Sequence, residues 1–295
     1  MKEYNQIYFV GIGGIGMSAV ARYFNTMGIR IAGYDKTSTP LTDDLLKEGM
    51  LIHFEDDVKH IPADFKNDAL KDKTLVVYTP AIPKDHSEYN YFLNIGYTIV
   101  KRSQILGLIT SANKTVAVAG THGKTTTSSM VAHVLKSSGL NIAAFLGGIT
   151  KNYNSNFILP SSKTEVINVV EADEFDRSFL TLFPQFAIIT SMDPDHLDIY
   201  GDSNALTESY NLFAQQVKDN GLIIYKNGLP LQAVKAKTQT YSITEKADYY
   251  ATSIAIKNNE YHFDMVAGNQ KLQGLTLGLP GRHNVENAVA AAAVA

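Results

Sequence analysis

The sequence predicts an α/β protein: an N-terminal Rossmann-like parallel-sheet domain, then a P-loop α/β domain carrying a small antiparallel flap. Three observations predict it. Strand-like and helix-like stretches alternate from the first residues, the pattern of parallel βαβ units. Two glycine-rich turns, GIGGIG and GTHGKTTT, each stand between a strand and a helix. From Asp248 onward, short strand-like runs are separated by turn signals instead of helices. At about 150 residues per domain the 295 residues suggest two domains. We place them at 1–110 and 111–295.

In the first, Ile7 to Val10 is an apolar strand, followed by the glycine turn and a helix from about Ile15 to Met27. Ile29 to Tyr34, Thr74 to Tyr78 and Tyr97 to Val100 are further strands, with helical patterns between them. The second opens on a buried-looking strand, Thr115 to Ala119, then a glycine turn and a helix to about Ser138. Asn141 to Leu146, Glu165 to Val170 and Phe186 to Thr190 follow as strands. The flap is read from Tyr249 to Ile256, Tyr261 to Val266 and Leu272 to Leu279, with turns at Asn258 and Asn259 and at Gly268 and Asn269. The last stretch, from Asn284, is Ala-rich and strongly helix-forming. It carries no C-terminal stop signal, so we expect the chain to be cut short there.

Composition excludes several classes. There is no cysteine, so no disulfide scaffold, thiolate zinc site or cysteine nucleophile. The net charge of −3 argues against a nucleic-acid binder, which needs a basic excess. No signal-peptide pattern opens the sequence, and no apolar run is long enough to span a bilayer. A cytoplasmic protein is the expectation, with no nucleic-acid or membrane partner; oligomeric state is not encoded legibly.

Gly11, Gly13, Gly14 and Gly16 form G-x-G-x-x-G after a strand and before a helix, where backbone N–H groups can approach a diphosphate. Asp35 closes the second strand, 19 residues after Gly16, where a carboxylate can bond a ribose hydroxyl. NAD, FAD and a UDP-sugar all satisfy this pattern. The second turn is a short P-loop, with two residues rather than four between Gly120 and Gly123. Gly120, Thr121, His122, Gly123, Lys124, Thr125 and Thr126 are its phosphate-binding residues. Lys124 neutralises β/γ charge, and Thr125 offers a hydroxyl to Mg²⁺. Glu171, at a strand end, is the best-placed carboxylate to face Thr125 across that ion; Asp173, Glu174 and Asp176 read equally as a solvated loop. His196, among Asp193, Asp195 and Asp198, suits a second metal or proton transfer. Asn284 reads either as a helix N-cap or as a residue facing adenine.

GIGGIG, GTHGKTTT, VEADEFDRSF, MDPDHLD and GRHNVENAVAA, in this order, resemble the Mur ligase family of peptidoglycan synthesis across essentially the whole chain. Within it, GIGGIGM is most similar to the branch that joins L-alanine to UDP-N-acetylmuramate; the murein-peptide recycling branch is the runner-up. The resemblance implies a UDP-sugar domain, a central ATP-binding domain and a C-terminal domain that this sequence lacks, so the chain alone is expected to be inactive. It implies that Gly13, Gly14, Gly16 and Asp35 meet the UDP moiety, with Thr79 to Ile82, His53 and Arg102 around the same cleft. It implies ATP and Mg²⁺ as cofactors, with Lys124, Glu171 and His196 as the catalytic set and Thr125, Glu171 and His196 as metal ligands. His283 and Asn284 are placed by the adenine. The carbamylated lysine of several relatives is not matched, since no lysine lies between His196 and Lys218. Ser191 stands where asparagine is common, which puts any ligand contact there in doubt.

Rival classes explain less. An NAD-dependent oxidoreductase accounts for GIGGIG and Asp35 but leaves GTHGKTTT without a use. A nucleotide switch leaves the first domain idle, and a folylpolyglutamate synthase lacks that domain.

Overall fold

The computed structural model describes residues 4–162, 164–195, 200 and 202–295. The chain forms two compact units, Met1–Ile109 with Gly147–Leu159, and Thr110–Leu146 with Pro160–Ala295. Sequence reading gives no sign that a stretch near residue 150 leaves the second unit for the first.

In the first unit, β1 (Gln6–Val10), α1 (Ile15–Thr26), β2 (Arg30–Tyr34), α2 (Pro40–Lys47), β3 (Leu51–His53), β4 (Thr74–Tyr78), α3 (Ser87–Ile95) and β5 (Thr98–Lys101) follow in order. α4 (Arg102–Ala112) carries the chain onward. The sheet runs β3-β2-β1-β4-β5, all parallel. β1 is buried along its whole length, as a central parallel strand covered on both faces must be. Gln6, at its start, donates to Thr74 Oγ1 at 2.8 Å and to the Asp64 carbonyl at 3.1 Å. Tyr8, Phe65, Phe92 and Tyr97 fill one face of the sheet. α2 starts where the sequence orders it to: Thr39 and Thr42 form a capping box and Pro40 takes the first turn. Strand order reverses between β1 and β4, so the turns after these two strands open the crevice where such sheets bind ligands.

The second unit contains β6 (Lys114–Ala119), α5 (Lys124–Ser137), most of β7 (Ile142–Thr150), β9 (Ile167–Ala172), β10 (Phe186–Ile189), α6 (Ser203–Gln215), β11 (Leu222–Lys226), β12 (Lys237–Ser242), β13 (Tyr249–Lys257), β14 (Glu260–Ala267), β15 (Gln270–Leu277) and α7 (Arg282–Val294). β8 (Ser155–Ile158) pairs at the end of β7 and belongs to the first unit, where it packs on α1. The full sheet order is β15-β14-β13-β12-β11-β10-β6-β9-β7-β8. The three antiparallel strands are the expected flap, but they continue the parallel sheet through β12 instead of standing apart from it. Glu165 precedes β9 with φ 52°, so that strand begins at Ile167 and places Glu171 inside its last turn of pairing. Among the described residues no helix is long and apolar enough to cross a membrane.

Candidate active site

The P-loop is built by β6 ending at Ala119 and α5 starting at Lys124. Gly120 and Gly123 hold φ of 137° and 83°, conformations that side-chain-bearing residues rarely adopt. A Cβ on Gly120 would collide with Thr190 Oγ1, and one on Gly123 would lie 2.8 Å from Asn287 Oδ1. The neighbouring strand pins the loop from outside. Thr190 Oγ1 donates to the carbonyls of Ala119 (3.1 Å) and His122 (2.5 Å), and the His122 N–H donates to Ser191 Oγ at 2.8 Å. Thr121 Oγ1 donates to the Asp193 carbonyl at 2.8 Å. Ser191 therefore shapes the loop from beneath, a role that its sequence position did not suggest.

Lys124 curls back over the loop. Its Nζ donates to the Gly120 carbonyl at 2.8 Å and lies 2.9 and 2.8 Å from the two oxygens of Glu174. The expected pair forms as well: Thr125 Oγ1 reaches Glu171 Oε1 at 3.1 Å and Oε2 at 2.9 Å. Of the acidic run after β9, Asp176 is exposed, as a solvated loop should be. Glu174 is not: its side chain is 1% exposed. Thr126 lies in the first turn of α5, half-buried.

α7 closes one side. Asn287 Nδ2 donates to Asn284 Oδ1 at 3.3 Å, and Asn284 Nδ2 donates to the Pro280 carbonyl at 2.6 Å. Asn284 and the P-loop are thus linked through Asn287, which the sequence reading missed. A signal was present, since Asn287 lies three residues after Asn284, on the same helical face. His283 is exposed and packs against Gly281. His196 lies outside the described residues, as does Asp198.

In the first unit the glycine turn follows β1 and Thr79 follows β4, at the reversal of strand order. A Cβ on Gly11 would sit 2.6 Å from Thr79 Cγ2, so the two turns touch. Asp35 acts on the loop itself: Oδ2 accepts the Gly13 N–H at 2.7 Å and Oδ1 the Thr37 N–H at 3.1 Å. The N–H groups of Gly11 and Ile12 go to the Tyr34 carbonyl at 2.8 and 2.9 Å. What the turn offers an anion is the first turn of α1, with Gly14 exposed and Arg102 Nη1 2.9 Å from the position of a Gly16 Cβ. His53 is drawn elsewhere, into a buried cluster with Tyr8 (2.8 Å) and Glu88 (3.2 Å).

A parallel sheet feeding a short P-loop, backed by a Thr–Glu oxygen pair and preceded in sequence by a second glycine-turn unit, defines an α/β protein of the P-loop class. Two family profiles divide the chain between them: the Mur ligase family catalytic domain matches residues 6–114, and the Mur ligase middle domain matches 118–295. The chain belongs to the Mur ligase family. It is 49% identical to the UDP-N-acetylmuramate-L-alanine ligase of Flavobacterium psychrophilum over 295 residues, all of this chain and 63% of that protein. It therefore spans just under two thirds of such relatives. The crystal structure of the UDP-N-acetylmuramate-alanine ligase of Thermotoga maritima is 30% identical, with a TM-score of 0.81 over 98% of this chain and 64% of the other. The UDP-N-acetylmuramate:L-alanyl-gamma-D-glutamyl-meso-diaminopimelate ligase of Neisseria meningitides is 25% identical, with a TM-score of 0.84 over 99% and 93%.

Proposed function

We propose that this chain is the UDP-sugar- and ATP-binding part of a cytoplasmic ligase that joins L-alanine to UDP-N-acetylmuramate in making peptidoglycan precursors. The single observation that carries the reading is the P-loop constellation of Lys124, Thr125 and Glu171 in one unit of a chain whose other unit carries a glycine turn after β1. The alanine-adding relatives at about half identity favour this branch over the recycling one.

In the proposed reaction the muramyl carboxylate attacks the γ-phosphorus of ATP and ADP leaves. The alanine amine attacks the acyl carbon of the resulting acyl phosphate, phosphate departs and an amide forms. Two anions must meet, so charge neutralisation dominates the barrier. Lys124 supplies a fixed positive charge at the loop, and the α5 N-terminus adds backbone N–H groups. Thr125 and Glu171 fit a Mg²⁺ ion: hard oxygens, one neutral and one charged, about as many protein ligands as a nucleotide-bound Mg²⁺ usually takes. That ion would screen phosphate charge. His196 is proposed as the ligand of a second Mg²⁺. The first-turn N–H groups of α1, with Gly13, Gly14, Gly16 and Thr79 around them and Arg102 adjacent, are proposed to take the UDP diphosphate; Asp35 reaches the ligand only while also holding Gly13.

Calorimetric titration of the 295-residue chain with UDP-N-acetylmuramate, MgATP and NAD⁺ tests the reading. Saturable binding of the first two and none of NAD⁺ is expected. Binding of NAD⁺ alone would overturn it in favour of an oxidoreductase.

A further inference from the structure

The loop lysine already has an anion. Both oxygens of Glu174 lie within 2.9 Å of Lys124 Nζ, and both side chains are shielded from water, at 1% and 14% exposure. The carboxylate is held in place by its own backbone. The Glu174 carbonyl accepts the Tyr200 hydroxyl at 2.5 Å and the Arg177 N–H at 2.9 Å. The next turn is fixed by positive φ at Asp176 and Arg177, 51° and 54°. Phe179, fully buried, anchors that turn by stacking on Phe213. Neither the Thr125–Glu171 pair nor the loop hydrogen bonds require Glu174.

A phosphate entering the loop needs the same ammonium. A carboxylate that loses this cation gives up a charge-assisted contact at a site shielded from water. One that keeps it places two anions on one cation. Either way Glu174 opposes nucleotide binding relative to a neutral side chain of the same shape. We propose that Glu174 is a positioning residue that competes for Lys124. It holds the ammonium over the loop when no nucleotide is bound, and it lowers nucleotide affinity by reclaiming the lysine as phosphate leaves. The proposal rests on the phosphate-binding reading of the loop.

The test is titration of this chain with MgADP and MgATP, as wild type, Glu174→Gln and Glu174→Met. Wild type is measured first: no nucleotide binding there overturns the loop reading itself, and with it the ground for a competitor. Where wild type binds, Glu174→Gln should bind both nucleotides at least about fivefold more tightly. Its dissociation of ADP should slow in proportion, while its thermal midpoint without nucleotide stays equal or falls. Loss of a structural contact alone would not raise affinity. Glu174→Met, similar in volume and uncharged, should show the same gain. Unchanged or weaker binding in a folded variant would overturn the competition, and so would failure of both variants to fold, which would make Glu174 a structural charge.

Discussion

The Thr125 hydroxyl donates to both carboxylate oxygens of Glu171, joining the first turn of α5 to the end of β9. Thr125 and Glu171 are thus within reach of one small ion without a change of backbone. We predict that Mg²⁺ strengthens ADP binding to the wild-type chain at least tenfold, about 1.4 kcal/mol. Glu171→Gln should lose most of that gain while keeping its Mg²⁺-free affinity. Equal Mg²⁺ enhancement in both proteins, by calorimetry with and without chelator, would remove Glu171 from the ion.

Gly123 begins α5 in the left-handed region, with Asn287 against its open side. Gly123→Ala should meet two costs: about 1 kcal/mol for an L-residue at that φ, and a clash with Asn287 Oδ1 of about 1–2 kcal/mol. Asn287→Ala in the same chain should recover the second cost and leave the first. Urea unfolding of the two single variants and the double variant measures the coupling. Additive effects would show that Asn287 does not pack on the loop.

Arg22 is a buried cation that joins three elements of the first unit. Its Nε and Nη2 donate to Glu48, and its Nη1 donates to Asn156 Oδ1 at 2.5 Å. Asn156, fully buried, in turn donates to the Ile15 carbonyl and Ser18 Oγ of α1. Arg22→Met should cost about 2–3 kcal/mol, mainly because Asn156 loses an acceptor contact in a dry site; Glu48 is more exposed and contributes less. Arg22→Lys should not rescue, since one ammonium cannot reproduce the forked contacts. A loss below about 0.5 kcal/mol in denaturant titration would contradict this.

The parts readable from sequence are those where local pattern and tertiary role agree. β1 and β6 are apolar runs bounded by glycine turns, and the P-loop and Glu171 follow from residue type and spacing. β3 escaped because it is only three residues long, and β12, KTQTYS, because it is polar. β11, LIIYK, has the apolar β-forming residues of a strand and is legible in the sequence on that ground. The segment Gly147–Leu159 joins the first unit through Asn156, a long-range contact with no local signature. Glu174 read equally as a loop acid or a functional carboxylate because its neighbours are acidic; only the fold buries it against Lys124. Asp35 was legible as the acid closing β2, but not its hydrogen bond to Gly13.

Tyr8, His53 and Glu88 form a buried polar triad beneath β2 and β3, and it predicts a pH response. Burial pushes the Glu88 carboxyl up to about 8, and burial also pushes His53 and His86 below the ordinary histidine range. A neutral set fits the distances. With Glu88 protonated, the Tyr8 hydroxyl, 2.6 Å from Glu88 Oε2 and 2.8 Å from His53 Nε2, bridges the two side chains, and His53 Nδ1 donates to the Glu55 carbonyl at 3.0 Å. The other ionisable groups packed around it are Asp56, which contacts His86 at 3.2 Å, Asp57, His60 stacked on His53, and Tyr34 against both His53 and His86. Between the unfolded carboxyl value near 4.5 and about 8, the folded state binds one more proton at Glu88 than the unfolded chain. Stability therefore falls as pH rises through that window. The two histidines act oppositely, fully below about 6.5 and fading out by about 7.5, where the unfolded chain takes up protons that the folded one refuses. From pH 6.5 to 8 the histidine contribution fades and Glu88 dominates, at about 1.4 kcal/mol per unit where fully engaged, a loss of about 1–2 kcal/mol relative to the same chain without its carboxyl. Glu88→Gln keeps an acceptor for Tyr8 and has no proton to lose. Urea midpoints at pH 6.5, 7.2 and 8 should decline in the wild type relative to Glu88→Gln; parallel pH courses in the two proteins would place the titrating group elsewhere.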